Sequence, residues 1–320
     1  MRHSLGIALA LLIFSAAPVA AQDSWPSHPV RIIVPSSPGG GTDLFARLLA
    51  QGLSESLKQQ FIVDNRPGAS GNIGAEAAAK AAPDGYTILV SSNPALAINP
   101  SLYKNLPYDP ERDFAPVARG VTTPLVLVVH PSVPAKTLAE FVSIGKREPE
   151  RIAYGSAGAG STTYLGVRMI EEATGARFLH VPFKGLGQGV QSLLAGDIKF
   201  MLADIATVLP HLRSGRLKAL AVTERAASLP ETPTLAQAGY PDLEVLASFS
   251  VVVPRGTPVV IVRRLGAEVI NAMKSPAIRQ KLEAQELFPV FDTPETFAAS
   301  LKKERETWAA FIRRNGITAD

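Results

Sequence analysis

Cysteine is absent from all 320 residues of the chain. Its absence excludes a lipid-anchored bacterial lipoprotein, a disulfide framework and any thiolate metal site. Charge is sparse at 19% and carries only a small excess, +4, with Lys and Arg scattered among acids rather than run together in blocks. A nucleic-acid partner therefore has no electrostatic footprint here. The weak positive field slightly favours anionic ligands, although an ordinary solvated surface gives the same count. Low-complexity linkers and internal repeats are missing too, so the chain does not divide into independent tandem units.

Long apolar runs are equally scarce. The longest opens the chain: Met1-Arg2-His3 leads into Leu5 to Phe14 and then into small residues ending Val19-Ala20-Ala21. A charged start, a short apolar core and a small-x-small site read as a cleaved signal peptide over residues 1–21, with Gln22 opening the mature protein. The run is too short for a membrane anchor and is broken by Pro18. A soluble periplasmic protein is expected.

What the chain does contain is alternation. Val30–Val34, Thr87–Val90, Leu125–Val129, Phe178–Val181, Leu217–Val222 and Ser250–Val253 have the β-branched character of strands. Between them Asp43–Leu57, Leu138–Lys146, Thr163–Ala173 and Val259–Met273 have helical periodicity. The pattern predicts βαβ units and largely parallel sheets. The 26 Pro and 25 Gly residues punctuate strand ends without forming a linker. Two lobes joined by more than one crossing follow, with crossings near Val121–Pro124 and Leu246–Phe249. A last helix from Pro294 to Gly316 should bury Phe297, Leu301, Trp308 and Phe311 or Ile312.

Three loops lie where a strand feeds a helix. Pro35-Ser36-Ser37-Pro38-Gly39-Gly40-Gly41-Thr42-Asp43 follows the first strand, and its glycines let successive N–H groups turn to one point while Thr42 caps the helix. Tyr154-Gly155-Ser156-Ala157-Gly158-Ala159-Gly160-Ser161-Thr162 repeats this in the other half of the chain, with Ser161 or Thr162 as cap. Ser91-Ser92-Asn93-Pro94 ends a strand with three hydrogen-bonding side chains. Ligands of open α/β sheets lie outside the carboxyl ends of strands, so the three loops are placed to face one cleft. Helix N-termini with free N–H groups hold anions, and a pair from opposite lobes would clamp a dicarboxylate. A tight turn with nothing bound is the competing reading of each loop alone. Neither G-x-G-x-x-G nor G-x-x-x-x-G-K-[ST] occurs, which argues against a nucleotide.

Several of these segments together are similar to the Bug family of extracytoplasmic solute receptors. The likeness rests on Pro38-Gly39-Gly40-Gly41-Thr42-Asp43 with Ala46-Arg47, on Asn65-Arg66-Pro67-Gly68-Ala69 with Gly71, Ile73, Gly74 and Ala75, and on Pro83-Asp84-Gly85-Tyr86-Thr87. It continues through Pro107-Tyr108-Asp109, the second glycine-rich loop and His180-Val181-Pro182-Phe183-Lys184-Gly185. The resemblance spans nearly the whole mature chain. It implies an α/β fold, a two-lobed periplasmic binding protein of type II, or Venus flytrap, with two crossover strands. The lobes are expected at 22–122 plus 249–320 and at 123–248.

The resemblance further implies a carboxylate gripped by backbone N–H groups and water, and membrane subunits of a tripartite tricarboxylate transporter as partners of a monomer without cofactor or metal. Onto this chain it transfers Ser37, Gly40, Gly41 and Thr42 from one lobe and Ser156, Gly158, Gly160 and Ser161 from the other. With their neighbours Ser36, Gly39, Asp43, Ser91, Asn93 and Thr162, these make the expected ligand site. Asp204 stands where such receptors often have an acidic residue near the pocket; a strand-end or helix-capping role competes. Two departures bear on the ligand. Ser36 replaces a frequently aromatic position, and Ala247-Ser248-Phe249-Ser250 replaces a segment that usually carries Trp and Gly.

An enzyme finds little support in the motifs. His28, His130, His180 and His211 are far apart and form no H-E-x-x-H, and no G-x-S-x-G elbow occurs. Ser-x-x-Lys appears at Ser101–Lys104, Ser143–Lys146 and Ser300–Lys303 without the S-D-N and K-T-G that would give it meaning. A periplasmic sensor presenting ligand to a membrane kinase would use the same site as a transport receptor.

Overall fold

The structure, a computed structural model, describes residues 25–243 and 245–318. The expected signal peptide lies outside the described residues. In chain order the elements are β1 (Val30–Val34), α1 (Gly41–Leu57), β2 (Phe61–Asn65), α2 (Asn72–Ala79), β3 (Thr87–Ser92), α3 (Asn99–Leu102) and β4 (Phe114–Val129). Then come α4 (Leu138–Arg147), β5 (Ala153–Ser156), α5 (Thr162–Thr174), β6 (Leu179–Pro182), α6 (Leu186–Ala195), β7 (Phe200–Asp204), α7 (Ile205–Arg213) and β8 (Lys218–Val222). The chain closes with β9 (Leu246–Pro254), α8 (Val259–Lys274), α9 (Pro276–Glu283), β10 (Phe288–Pro289) and α10 (Pro294–Arg314).

β1 shows why the strands form. Val30, Ile32, Ile33 and Val34 are all fully buried, on both faces of the sheet, which suits a β-branched run covered by helices on either side. β1 pairs in parallel with β2 and β3, and β5 pairs in parallel with β6 and β7. These two parallel groups are the βαβ units that the alternation predicts. They are linked by antiparallel strands: the sheet order is β2-β1-β3-β9-β4-β7-β5-β6, with β8 and β10 also on β4. The sheet is thus mixed, because chains passing between lobes must run back alongside the strands they join.

β4 is the long element of the fold. Its first part pairs with β9 as far as Pro124↔Leu246, and from Leu125 onward it pairs with β7 and β8. The expected strand Leu125–Val129 is only the end of this crossover. Helix α10 has the expected buried stripe of Phe297, Leu301, Trp308, Phe311 and Ile312, and Thr293 accepts from Thr296 N–H to start it. Among the described residues no helix is long and apolar enough to cross a membrane.

Candidate functional site

The first loop runs from the end of β1 into α1. Helix α1 begins at Gly41, two residues earlier than the periodicity predicts, because the apolar stripe starts only at Phe45. Thr42 therefore sits inside the helix, and the N-cap is Gly40, which has no side chain to offer. No side chain caps α1, and Asp43 in its first turn ties the preceding loop down instead. Its carboxylate accepts from Gly39 N–H at 3.0 Å, Arg47 Nε at 3.0 Å and Asn65 Nδ2 at 2.9 Å. Burial alone would raise the Asp43 pKa, but the bonds from Arg47, Gly39 and Asn65 hold it below the usual carboxylate value. Asn65 also donates to the Ser36 carbonyl at 3.1 Å, so the loop is tied to the end of β2.

The second loop joins β5 to α5. Ser161 is its N-cap and accepts from Tyr164 N–H at 3.1 Å, leaving Thr162 as the first helical residue. Ser161 Oγ also donates to the Gly158 carbonyl at 2.8 Å, and Gly158 N–H donates to Ser156 Oγ at 3.1 Å. Ser156 Oγ lies 2.7 Å from His180 Nε2, a contact that pins the loop to β6. His180 has its pKa lowered to about 4, first by burial and then by the charge on Arg168, so its ring is neutral at neutral pH.

Between the loops lies a narrow, partly open cavity of ≈ 70 Å³. From the expected site it is lined by Ser36, Gly40, Gly41 and Thr42 on one side, by Ser161, Thr162 and Asp204 on the other, and by Ser91 at the end of β3. A larger hollow of ≈ 610 Å³ beside Tyr103, Pro107 and Arg112 contains none of the strand-end loops. The cavity is the place where α1 and α5 present their N-termini together. Two hydroxyls that line it, Ser36 Oγ and Thr162 Oγ1, are buried without a hydrogen-bond partner, as is Ser37 Oγ just behind. Unmet buried hydroxyls cost roughly 1–3 kcal/mol each, so a ligand that satisfied them would gain from both lobes.

Asp204 closes the α7 side. It is 4% exposed, accepts the Thr207 hydroxyl, and stands against Gly41 across the cleft. Burial raises its pKa, opposed by the Thr207 hydroxyl and by backbone N–H groups that include Gly41. Other expected residues face elsewhere. Asn93 accepts from Ser248 N–H at 2.7 Å and donates to Glu304, which turns its side chain to the crossover strand β9. Ser37, Gly39, Asp43, Ser156, Gly158 and Gly160 shape the loops and do not line the cavity. Gly160 N–H is already taken by Ser70 Oγ at 3.1 Å.

Sequence reasoning missed part of the lining: Ser70, Ala157, Lys184, Ala247 and Phe249. Lys184 belongs to the His180–Gly185 segment, two residues past β6, and Ser70 to the turn after β2, but no local pattern shows that either lines the cavity. Among the described residues no cluster of metal-ligating side chains occurs.

Comparison with known proteins agrees with this geometry. Residues 45–317 match the model of the tripartite tricarboxylate transporter family receptor, TctC. The protein BugT of Bordetella pertussis is 38% identical over 304 residues, which cover 94% of this chain and 93% of BugT. Two solved structures superpose closely: the periplasmic binding protein BugD, with a TM-score of 0.88 and 30% identity over 92% of this chain and 99% of BugD, and R. palustris Rpa4515 with adipate. The latter has a TM-score of 0.89 and 34% identity, over 92% of this chain and 99% of Rpa4515. The chain belongs to the TctC family of tripartite tricarboxylate transporter receptors, the Bug-type solute-binding proteins, and has their two-lobed periplasmic binding protein fold.

Proposed function

We propose that this chain is a periplasmic receptor that captures a small carboxylate between its lobes and delivers it to the membrane subunits of a tripartite tricarboxylate transporter, without catalysing a reaction. The observation that carries the reading is the meeting of two helix N-termini, α1 and α5, at a cavity where Ser36 Oγ and Thr162 Oγ1 are buried and unpartnered. Donors without a bound acceptor, converging from two lobes, suit an oxyanion. A relative with adipate in its structure supports the same ligand class. The register of β4 and β9 supports lobes of 22–122 with 249–320 and of 123–248, and the family supports export through a leader cleaved after Ala21.

A thermal-shift screen of purified protein against mono- and dicarboxylates, neutral sugars and neutral amides tests the reading. Carboxylates should raise the melting temperature in a saturable way, since a ligand bound only by the native state stabilises it. Stabilisation by neutral solutes but by no carboxylate would overturn it.

A further inference from the structure

We infer that Glu286 is a positioning residue for capture: carried on lobe one, its carboxylate seats the turn at Ser228 of lobe two and so holds the lobes at the angle that closes the cleft. The inference rests on the division into lobes proposed above and not on the identity of the ligand.

Local structure does not account for a glutamate at this position. After α9 the chain stops in a Schellman turn. Leu287 N–H donates to the Leu282 carbonyl and Glu286 N–H to the Glu283 carbonyl, both at 3.0 Å, over the buried pair Leu282 and Leu287. Glu286 therefore takes the left-handed position of the turn, with φ 56°, where glycine or asparagine is at ease and a long side chain is strained. Helices α5 and α6 meet the same requirement with Gly175 and Gly196. Lys58 ends α1 in this conformation too, but its side chain is exposed, whereas Glu286 is 1% exposed.

What the glutamate gains is a contact with the other lobe: Glu286 Oε1 accepts the Ser228 N–H. The turn at Ser228 is anchored in lobe two through Ala226, which is buried in the same cluster as Val126, Val208 and Val222. On the lobe-one side, β10 begins two residues after Glu286 and pairs with Val121 and Thr122, just before β4 crosses between the lobes. The contact thus stands beside the hinge strand. Its surroundings are loosely filled, since Phe288 with Arg225, Leu229 and Pro233 borders a hollow of ≈ 840 Å³. A bond accepted by a buried carboxylate is strong and directional, and with little packing beside it that bond sets the approach of the two segments. The cleft is narrow in this structure, with Gly41 against Asp204 and Gly185 against Ser37, so the contact accompanies closure. Glu286 Oε2 and Ser228 Oγ are buried without partners, a cost that the turn alone does not require and an interlobe role explains.

Pulsed dipolar spectroscopy on ligand-free protein tests this, with nitroxides on Glu55→Cys in lobe one and Gln191→Cys in lobe two. Both sites are exposed, and the chain has no cysteine of its own. Glu286→Gly and Glu286→Asn suit the left-handed turn but cannot reach Ser228. Each should lower the ratio of molecules at the closed interlobe distance to molecules at other distances about three- to tenfold, the worth of one hydrogen bond. Their urea melts should match or exceed that of the native protein, because the backbone is eased. Glu286→Gln keeps the reach and an acceptor oxygen and should stay near the native distribution. Native distances in both Glu286→Gly and Glu286→Asn overturn the inference. So does a loss of stability in both, which would make Glu286 a residue of the fold rather than of closure. No ligand enters the measurement, so its failure leaves the carboxylate reading standing, and failure of the carboxylate screen leaves this contact standing.

Discussion

A Cβ placed on Gly41 would meet the Phe249 ring at 2.9 Å and the Asp204 carboxylate, and one placed on Gly158 would lie 2.5 Å from Ser70 Oγ. Gly158 also has φ +111, where a side chain is strained whatever the space. Both positions are close approaches between lobes, so Gly41→Val and Gly158→Val should each hold the cleft open and cost at least ~1–3 kcal/mol of ligand affinity. Arg47 is different: its side chain is 53% exposed, is paired with Asp43 and does not line the cavity. Arg47→Gln should leave the dissociation constant within about twofold, as expected for an exposed ion pair. Calorimetry on the folded variants separates these cases, and loss of binding in Arg47→Gln with normal binding in both glycine variants would rule out a backbone clamp.

His180 gives a second residue-scale expectation. Its folded pKa is depressed to about 4 by burial and Arg168, below the ordinary value of 6.5. Between these values the unfolded chain binds a proton that the native state refuses, so stability is present near pH 7 and falls as pH drops from about 6.5 toward 4. From pH 7 to pH 5 the loss from this group should be about 1 kcal/mol, part of the ideal difference being screened because the ring is only partly buried. Urea melts at the two pH values should show a smaller drop for His180→Gln than for the native protein. An equal drop would mean that His180 is not among the groups that set the acid slope.

At the scale of elements, Ser161 shows what a cap contributes. Its hydroxyl takes Tyr164 N–H and also reaches the Gly158 carbonyl, so one side chain starts α5 and closes the loop before it. Ser161→Ala should cost about 1 kcal/mol in chemical denaturation, the usual range for a lost N-cap. Ser161→Asp should restore much of this, and failure to do so would show the cap to be secondary to loop geometry. This cap was legible in the sequence because a Ser directly preceded a periodic apolar stripe. The stripe of α10 was legible for the same reason: Phe297, Leu301, Trp308 and Phe311 recur at helical spacing over a long segment. β2, β5 and β7 were not: β5 and β7 contain no β-branched residue, and β2 ends in the turn residues Asp64 and Asn65. The site divided similarly. Glycine-rich loops announce helix N-termini, which located the cleft, whereas the directions of Asn93 and Lys184 depend on neighbours far away in the chain. Asn93 faces Glu304 and Ser248 because α10 and β9 pack beside β3, a tertiary fact with no local signal.

Across the whole molecule, the lobes meet through few polar contacts, and Ser70 makes one of them. Residues 68–71 all have positive φ, including Ala69 at 47° and Ser70 at 52°, so the segment holds a conformation that only glycine adopts freely. This strained turn puts Ser70 Oγ where it accepts from Gly160 N–H at 3.1 Å, at the head of α5 in the other lobe, while Tyr103 Oη donates to it at 3.2 Å. Closing the cleft therefore gives an otherwise unmet N–H a partner, and opening it returns that N–H to water. Two lobes joined by strands are expected to sample open and closed forms, with a ligand that touches both favouring the closed one. Removal of the hydroxyl should shift that balance, at the cost of one contact within lobe one, that of Tyr103. Ser70→Ala is expected to lower the closed population and weaken ligand binding by roughly 2–10-fold, the worth of one hydrogen bond of ~0.5–1.5 kcal/mol. Tyr103→Phe, which keeps the Gly160 contact, should have the smaller effect. Solution scattering and binding measured on the same samples decide it: a larger radius of gyration for Ser70→Ala at a subsaturating ligand concentration, converging on the native value at saturation, is the expected result. Identical scattering and affinity for Ser70→Ala and the native protein would show that the turn serves packing within lobe one alone.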